Sequence, residues 1–268
     1  MTSPRLIATD LDGTFLQPDG TVSPLNAAAV ARAHEVGVPF VIATGRPTRW
    51  LGVLDGLSTA HPQVIVSNGG AVVDLASRQA LQQYPLDAPL AREVALALRT
   101  AIPGITFGFE TVTTFGCEPD SPSRQRSEPG HHTGTLNELL DQLGDVIKVL
   151  GFHSDLDSET LTELARPVVG DQLTLTHASV SQSYGMIELT AAGVSKATTL
   201  SILCAALGID AADVVAFGDM PNDADMLTWA GRGYVVANGH RSMKTCGFTE
   251  VAANADDGVG RTVLDLLR

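Results

Sequence analysis

Asp10 and Asp12 stand one residue apart in Asp10-Leu11-Asp12-Gly13-Thr14, directly after the short apolar run Leu6–Thr9. If that run is a strand of an open α/β sheet, the pair sits at its carboxyl end, where such sheets bind ligands. Gly13 permits a sharp departure of the chain and a close backbone approach, so both carboxylates can face one pocket. Hard carboxylate oxygens suit a magnesium ion, which commonly shares its ligands with a substrate phosphate. A solvated Asp-Gly turn uses the same residue types, and the pair alone leaves that reading open.

A second acidic site strengthens the first. Gly218-Asp219-Met220-Pro221-Asn222-Asp223 follows another apolar run, Val214–Phe217, so Asp219 and Asp223 are expected on the same sheet edge as Asp10. Asp10, Asp219 and a carbonyl of the first loop make an oxygen set suited to Mg²⁺. Asp223 also falls in the first turn of a following helix, where negative charge is favourable in its own right. Lys196 lies in the first turn of another helix, where the dipole disfavours a cation. That placement makes sense if its ammonium reaches an anion, and a helix N-terminus is itself a phosphate site; a solvated surface lysine is the alternative. Thr44-Gly45, after Val38–Ala43, adds a hydroxyl and a backbone N–H, a weak signal by itself.

The elements that must position these groups alternate along the chain. Leu6–Thr9, Val38–Ala43 and Val64–Val66 are continuous apolar strand patterns. Helical stretches separate them, one opened by Ser23-Pro24 as cap and first-turn proline and another following Pro47. Strands without polar alternation, spaced by helices, predict a parallel sheet covered on both faces. After Asn68 the pattern changes to hairpin, helix and paired-strand signals, with a Ser-, Pro-, Arg- and His-rich loop over 120–134. From about Ala191 the first pattern resumes, with Ser195 capping a helix to about Leu207. The expected fold is therefore α/β: a Rossmann-like parallel-sheet core domain, 1–83 and 191–268, with an inserted α+β cap domain, 84–190. The cap is expected to close over the carboxylates and exclude water.

Composition bounds the remaining choices. Thirty acidic against 17 basic residues give a net charge of −13, and no basic stripe suggests a nucleic-acid partner. No stretch approaches the roughly 20 apolar residues of a bilayer span, and Met1–Arg5 lacks the layout of a signal peptide; a cytoplasmic protein without membrane partners is expected. Cys117, Cys204 and Cys246 lack zinc spacing and read as reduced thiols. His131 and His132 read as solvated loop residues, His153 as a strand-end residue, and Arg124 and Arg126 as exposed loop charges.

Taken in order, the sites resemble the four motifs of the haloacid dehalogenase-like hydrolases. These are Asp10-Leu11-Asp12-Gly13-Thr14, Ala43-Thr44-Gly45-Arg46, Ser195-Lys196, and Gly218-Asp219 with Asn222-Asp223. The long insert between the second and third, together with Ser67-Asn68-Gly69-Gly70, resembles the Cof-type phosphatases and their sugar-phosphatase relatives. The likeness extends to Asn238-Gly239-His240 and Asp257-Gly258-Val259. It implies Mg²⁺-dependent hydrolysis of a small phosphomonoester, a sugar phosphate or related metabolite, through a phospho-aspartate. Asp10 would be nucleophile and metal ligand. Asp12 would be general acid and base, lending its backbone carbonyl to the metal, and Asp219 would complete the metal site. Leu11, Thr44, Gly45, Lys196 and Asn222 would hold phosphate, with Asp223 behind them. Two positions depart from the family pattern: Ala197 stands where members commonly have glycine, and Gly239 where many have alanine.

The implied chemistry is consistent with the residues. Phosphoryl transfer needs in-line positioning and charge neutralisation, and a carboxylate nucleophile divides hydrolysis into two easier displacements. Asp12 would protonate the leaving alkoxide and then deprotonate the attacking water. A phosphomutase or phosphotransferase would use the same aspartate, and free phosphate release separates it from a phosphatase. A non-enzymatic phospho-acceptor or binding protein is the remaining alternative; an acceptor domain would carry its aspartate on a middle strand, whereas Asp10 follows the first. The oligomeric state and the identity of the substrate have no signature in the sequence.

Overall fold

The computed structural model describes residues 3–60, 62–122, 130–177 and 184–268. Arg124 and Arg126 lie outside these. The chain forms two compact units, residues 1–82 with 196–268, and residues 83–195.

The first unit is built on an eight-stranded sheet. From one edge its strands run Thr249–Val251, Arg232–Val236, Val214–Gly218, Leu6–Thr9, Phe40–Ala43, Gln63–Val66, Ala71–Asp74 and Ala80–Gln83. The first six are mutually parallel, and Ala71–Asp74 pairs antiparallel to its neighbour. The four strands from Val214–Gly218 to Gln63–Val66 are buried almost throughout, as their unbroken apolar runs require of a sheet covered on both faces. Leu6 and Ala8 join Leu200, Cys204, Met226 and Leu227 on one face, so the alternation of a strand turns Ile7 to the other. The Pro24–Glu35 helix begins with Ser23 accepting the Asn26 N–H at 3.0 Å and with Pro24 in its first turn.

Leu6–Thr9 sits between Val214–Gly218 and Phe40–Ala43. The chain winds from it in one direction through the strands at 40 and 63. In the other direction lie the strands at 214, 232 and 249. The strand before Asp10 therefore adjoins the point where the winding reverses, the position at which open α/β sheets leave a ligand crevice.

The segment after Pro47 differs from the helix expected there. Thr48–Ala60 is a run of 3₁₀ turns with Thr48, Leu51, Leu54 and Leu57 buried. Their spacing of three matches the three residues per turn of that helix, so the tighter winding brings all four to one side.

The second unit has a six-stranded sheet in the order Leu173–His177, Gly185–Ala191, Lys148–His153, Thr106–Glu110, Phe115–Cys117 and His131–Thr133. Its strands are antiparallel except the last pair. Helices Ala88–Ala101, Leu136–Leu143 and Ser158–Val169 cover one face, where Phe107, Phe109, Val149, Ile187 and Leu189 pack against Val94, Leu98, Leu139 and Leu161. On the opposite face Phe115, Cys117, Leu150, Phe152 and Met186 form a smaller cluster drawn from strands. His131, expected in a solvated loop, lies in a strand instead. Its Nε2 is 3.1 Å from Cys117 Sγ and its ring meets Phe115 edge-on. A three-residue strand between Gly130 and Gly134 has almost no local signal, and pairing with Phe115–Cys117 creates it. His153 does end a strand, with Nδ1 accepting the Asp155 and Leu156 N–H groups.

Candidate active site

The carboxyl ends of adjacent strands deliver the motif residues. Thr9 pairs with Phe217 and with Ile42, so Asp10, Asp219 and Thr44 leave neighbouring strands close to level with one another. The Asp10 N–H still donates to Phe217 O at 2.9 Å, holding the residue to the sheet as the chain departs. Leu11–Phe15 is then one wide turn, closed by the Leu16 N–H on Leu11 O at 2.9 Å. The Leu11 side chain is fully buried, so only its backbone is available to a ligand.

Gly13 is required twice over. Its φ of +80° lies in the left-handed region, and a Cβ there would stand 2.4 Å from Asp219 Oδ2. The first loop thus lies directly against Asp219. Thr14 Oγ1 donates to Asp219 Oδ1 at 2.9 Å, and Asn238 Nδ2 donates to Gly13 O at 2.7 Å. Asn238 is in turn held by the Asn254 N–H on its Oδ1, and the His240 N–H donates to Asp219 O. At Gly239 a Cβ would lie 2.8 Å from Val235 Cγ2 and 2.9 Å from Val236 O. Alanine would be crowded there, which accounts for this departure from the family pattern. Ala197, the other departure, packs into the core beside Leu200.

Lys196 is buried, which excludes a surface role. Its Nζ donates to Asp10 Oδ1 at 2.5 Å and to Asp223 Oδ1 at 2.8 Å. Asp223 Oδ2 accepts the N–H groups of Asp219 and Met220. Both Asp223 oxygens are thereby engaged in shaping the turn and holding the lysine. Asp10, Asp219 and Asp223 each offer an oxygen within 4.8 Å of the others, a buried acidic cluster able to hold a divalent cation. Asp12 is not in this cluster. Its side chain is 56% exposed and turns to Arg46.

Crowding three carboxylates around one ammonium has electrostatic consequences. Burial raises the Asp10 carboxyl well above its ordinary range; Lys196 opposes this, while the charges of Asp223 and Asp219 add to it. Burial and then Asp223 push Asp219 up to about 6. Burial works against the charged form of Lys196, but Asp10 and Asp223 outweigh it and raise its pKa. Lys196 alone therefore does not secure an ionised Asp10, and an added cation at the cluster would.

Thr44 is buried, and its Oγ1 accepts the Arg46 N–H at 3.0 Å, which leaves its O–H to donate. Gly45 is partly exposed between them, and Asn222 is exposed in the turn Pro221–Asp223. Sequence reasoning gave no separate task to Thr14, Arg46 or Asn238. Each lies inside a quoted motif, but the partner that defines its role comes from elsewhere in the chain.

A family model described as haloacid dehalogenase-like hydrolase matches residues 7–263. A 5-amino-6-(5-phospho-D-ribitylamino)uracil phosphatase of Bacillus subtilis is 27% identical over 273 residues, covering 97% of this chain and 96% of that protein. A pyridoxal phosphate phosphatase of Escherichia coli is 26% identical over 270 residues, covering 97% of each. Among solved structures, a protein of Streptococcus mutans superposes with a TM-score of 0.83 over 99% of both chains at 20% identity. None of the described helices is long and apolar enough to cross a membrane.

Proposed function

The chain belongs to the haloacid dehalogenase-like hydrolases and is a phosphatase, and we propose that it hydrolyses small phosphomonoesters with Mg²⁺ through a phospho-aspartate on Asp10. The observation that carries the proposal is the contact of Asp10 with Lys196 at the end of the strand beside Asp219.

The donor set fits the metal. Asp10 and Asp219 supply hard oxygens, the Asp12 carbonyl in the first loop a third, and Asp223 stays behind them because its oxygens are already engaged. Bound there, Mg²⁺ would neutralise the crowded carboxylates and the phosphate they receive.

The residues of the chain divide the remaining work. Lys196, the Thr44 hydroxyl and the N–H groups of Leu11 and Gly45 hold the phosphoryl oxygens, with Asn222 at the rim. An Asp10 carboxylate oxygen attacks phosphorus while the ester bond breaks, and the departing alkoxide takes a proton from Asp12. Water then attacks the phospho-aspartate and gives its proton to Asp12, which frees inorganic phosphate and restores Asp10. Residues 1–83 and 191–268 are the catalytic domain in this scheme, and residues 84–190 the cap that selects the leaving group. The two phosphatases above are named for phosphate esters carried on small nitrogen heterocycles, directly or through a sugar-alcohol chain, and esters of that kind are the first candidates.

The test is phosphate release from a panel of sugar, polyol, flavin and pyridoxal phosphates. Release with Mg²⁺ and its loss in chelator are expected. Full turnover after verified metal removal would overturn the metal assignment, and transfer to a sugar without free phosphate would make the protein a mutase.

A further inference from the structure

Arg46 has no role in the scheme above, yet it makes the most specific contact of the exposed aspartate. Its Nε donates to Asp12 Oδ2 at 2.8 Å and its Nη2 to Asp12 Oδ1 at 2.5 Å. This is the two-point fork by which a guanidinium fixes both the position and the plane of a carboxylate. The contact with Asp12 is also the main reason the Arg46 pKa is raised.

The arginine is itself anchored. Its backbone N–H donates to Thr44 Oγ1 at 3.0 Å, its carbonyl accepts the Ser67 N–H at 3.0 Å, and its Nη1 reaches Trp50 O at 3.3 Å. Ser67 and Asn68 hold left-handed φ values of 51° and 56°, uncommon for residues with a side chain. Asp12, by contrast, is 56% exposed on a wide turn. Without the fork its side chain would be free to change rotamer. Solvent reaches the Asp12 side of the pair and screens its charge attraction, so the specific effect of the fork is to fix the plane and position of that carboxylate.

We propose that Arg46 is the positioning residue of Asp12, orienting its carboxylate for proton transfer and tying the first catalytic loop to the second. The inference rests on the acid-base role proposed above for Asp12. Arg46 then acts through Asp12 and leaves phosphate binding to Thr44, Gly45 and Lys196.

A double-mutant cycle tests this on the full chain with Mg²⁺. Arg46→Ala should lower kcat for an alkyl phosphate by about tenfold to a hundredfold, the scale of losing orientation at a reacting group. The inhibition constant of inorganic phosphate should move by less than about threefold. Formation of the phospho-enzyme from a nitrophenyl phosphate, whose leaving group hardly needs a proton, should change little. In an Asp12→Ala background, Arg46→Ala should cost nothing further. Arg46→Lys keeps the charge without the fork and should fail to restore the rate; thermal melting of each variant checks that it is folded.

If Arg46→Ala weakens phosphate inhibition in step with kcat, and costs as much without Asp12 as with it, the arginine binds phosphate directly and the proposal is wrong. Full rescue by lysine, or no loss at all, would also overturn it. An Asp12→Ala variant that turns over normally would instead refute the role of Asp12 itself, a result distinguishable from the others.

Discussion

Lys196 in the first unit and Lys148 in the second each bring Nζ to 2.5 Å from a carboxylate oxygen, and each side chain is 3% exposed. Their settings differ. Lys148 projects from a strand, its partner Glu188 from the neighbouring strand, and Glu110 stands opposite Lys148 in register. The ladder dictates where those side chains go. Lys196 starts a helix, and Asp10, Asp219 and Asp223 come from turns that follow strands. Where elements end, backbone N–H groups become available and loops can bury carboxylates beside one another, so burial and then the charge of Asp223 push Asp219 up to about 6. The first cluster carries electrostatic tension that a bound cation would relieve; the second is part of a sheet.

Mutation should separate the two clusters. The largest effect is expected at Asp10. Asp10→Asn removes the proposed nucleophile and should lower phosphate release by about 10⁴-fold or more, with no phospho-enzyme trapped by rapid quench from any substrate. Lys148→Met should retain turnover per folded molecule. A burst of phospho-enzyme in the Asp10 variant would reassign the nucleophile.

The lysines themselves should exchange stability for activity. Lys148→Met strands a buried carboxylate and should cost about 3–5 kcal/mol in denaturant unfolding. Lys196→Met should cost less stability, because burial already raises the pKa of its partner Asp10, which can discharge by taking up a proton. Its kcat should nevertheless fall by about 10²–10³-fold. Equal stability losses in the two variants would show that the clusters do not differ in the way their settings suggest.

A smaller effect is expected where the first loop presses on Asp219. Gly13→Ala must accommodate both a left-handed φ and a Cβ against Asp219 Oδ2. It should displace that carboxylate and raise the Mg²⁺ concentration for half-maximal activity by about tenfold. An unchanged Mg²⁺ requirement would remove Asp219 from the metal site.

The smallest effect concerns pH. Asp219 titrates near 6 when folded against 3.8 otherwise, so between those values the folded protein holds more protons than the unfolded chain. Metal-free stability should therefore fall, by about 1–2 kcal/mol, as pH rises from about 4 through 6. Mg²⁺ should reverse the trend, because at the proposed site it would bind the deprotonated carboxylates. Melting curves with and without metal at pH 5 and pH 7 read this directly; a metal shift no larger at pH 7 than at pH 5 would contradict it.

The parallel α/β core and the order of its motifs can be read from the amino-acid sequence. Apolar runs ending in Asp10, Thr44 and Asp219 are local signals, legible because a buried strand and its exit turn occupy a few consecutive residues. Ser23-Pro24 marked a helix start for the same reason. Tertiary structure alone decided which motif side chains meet. Arg46 finds Asp12 across 34 residues, Thr14 finds Asp219 across 205 and Asn238 finds Gly13 across 225. The strand at His131–Thr133 exists only through its pairing, and Thr48–Ala60 winds more tightly than its helical pattern suggested. Periodicity and turn chemistry act over a few residues, whereas the partner of a side chain is set by strand order and register. Those are chosen by packing the whole sheet at once.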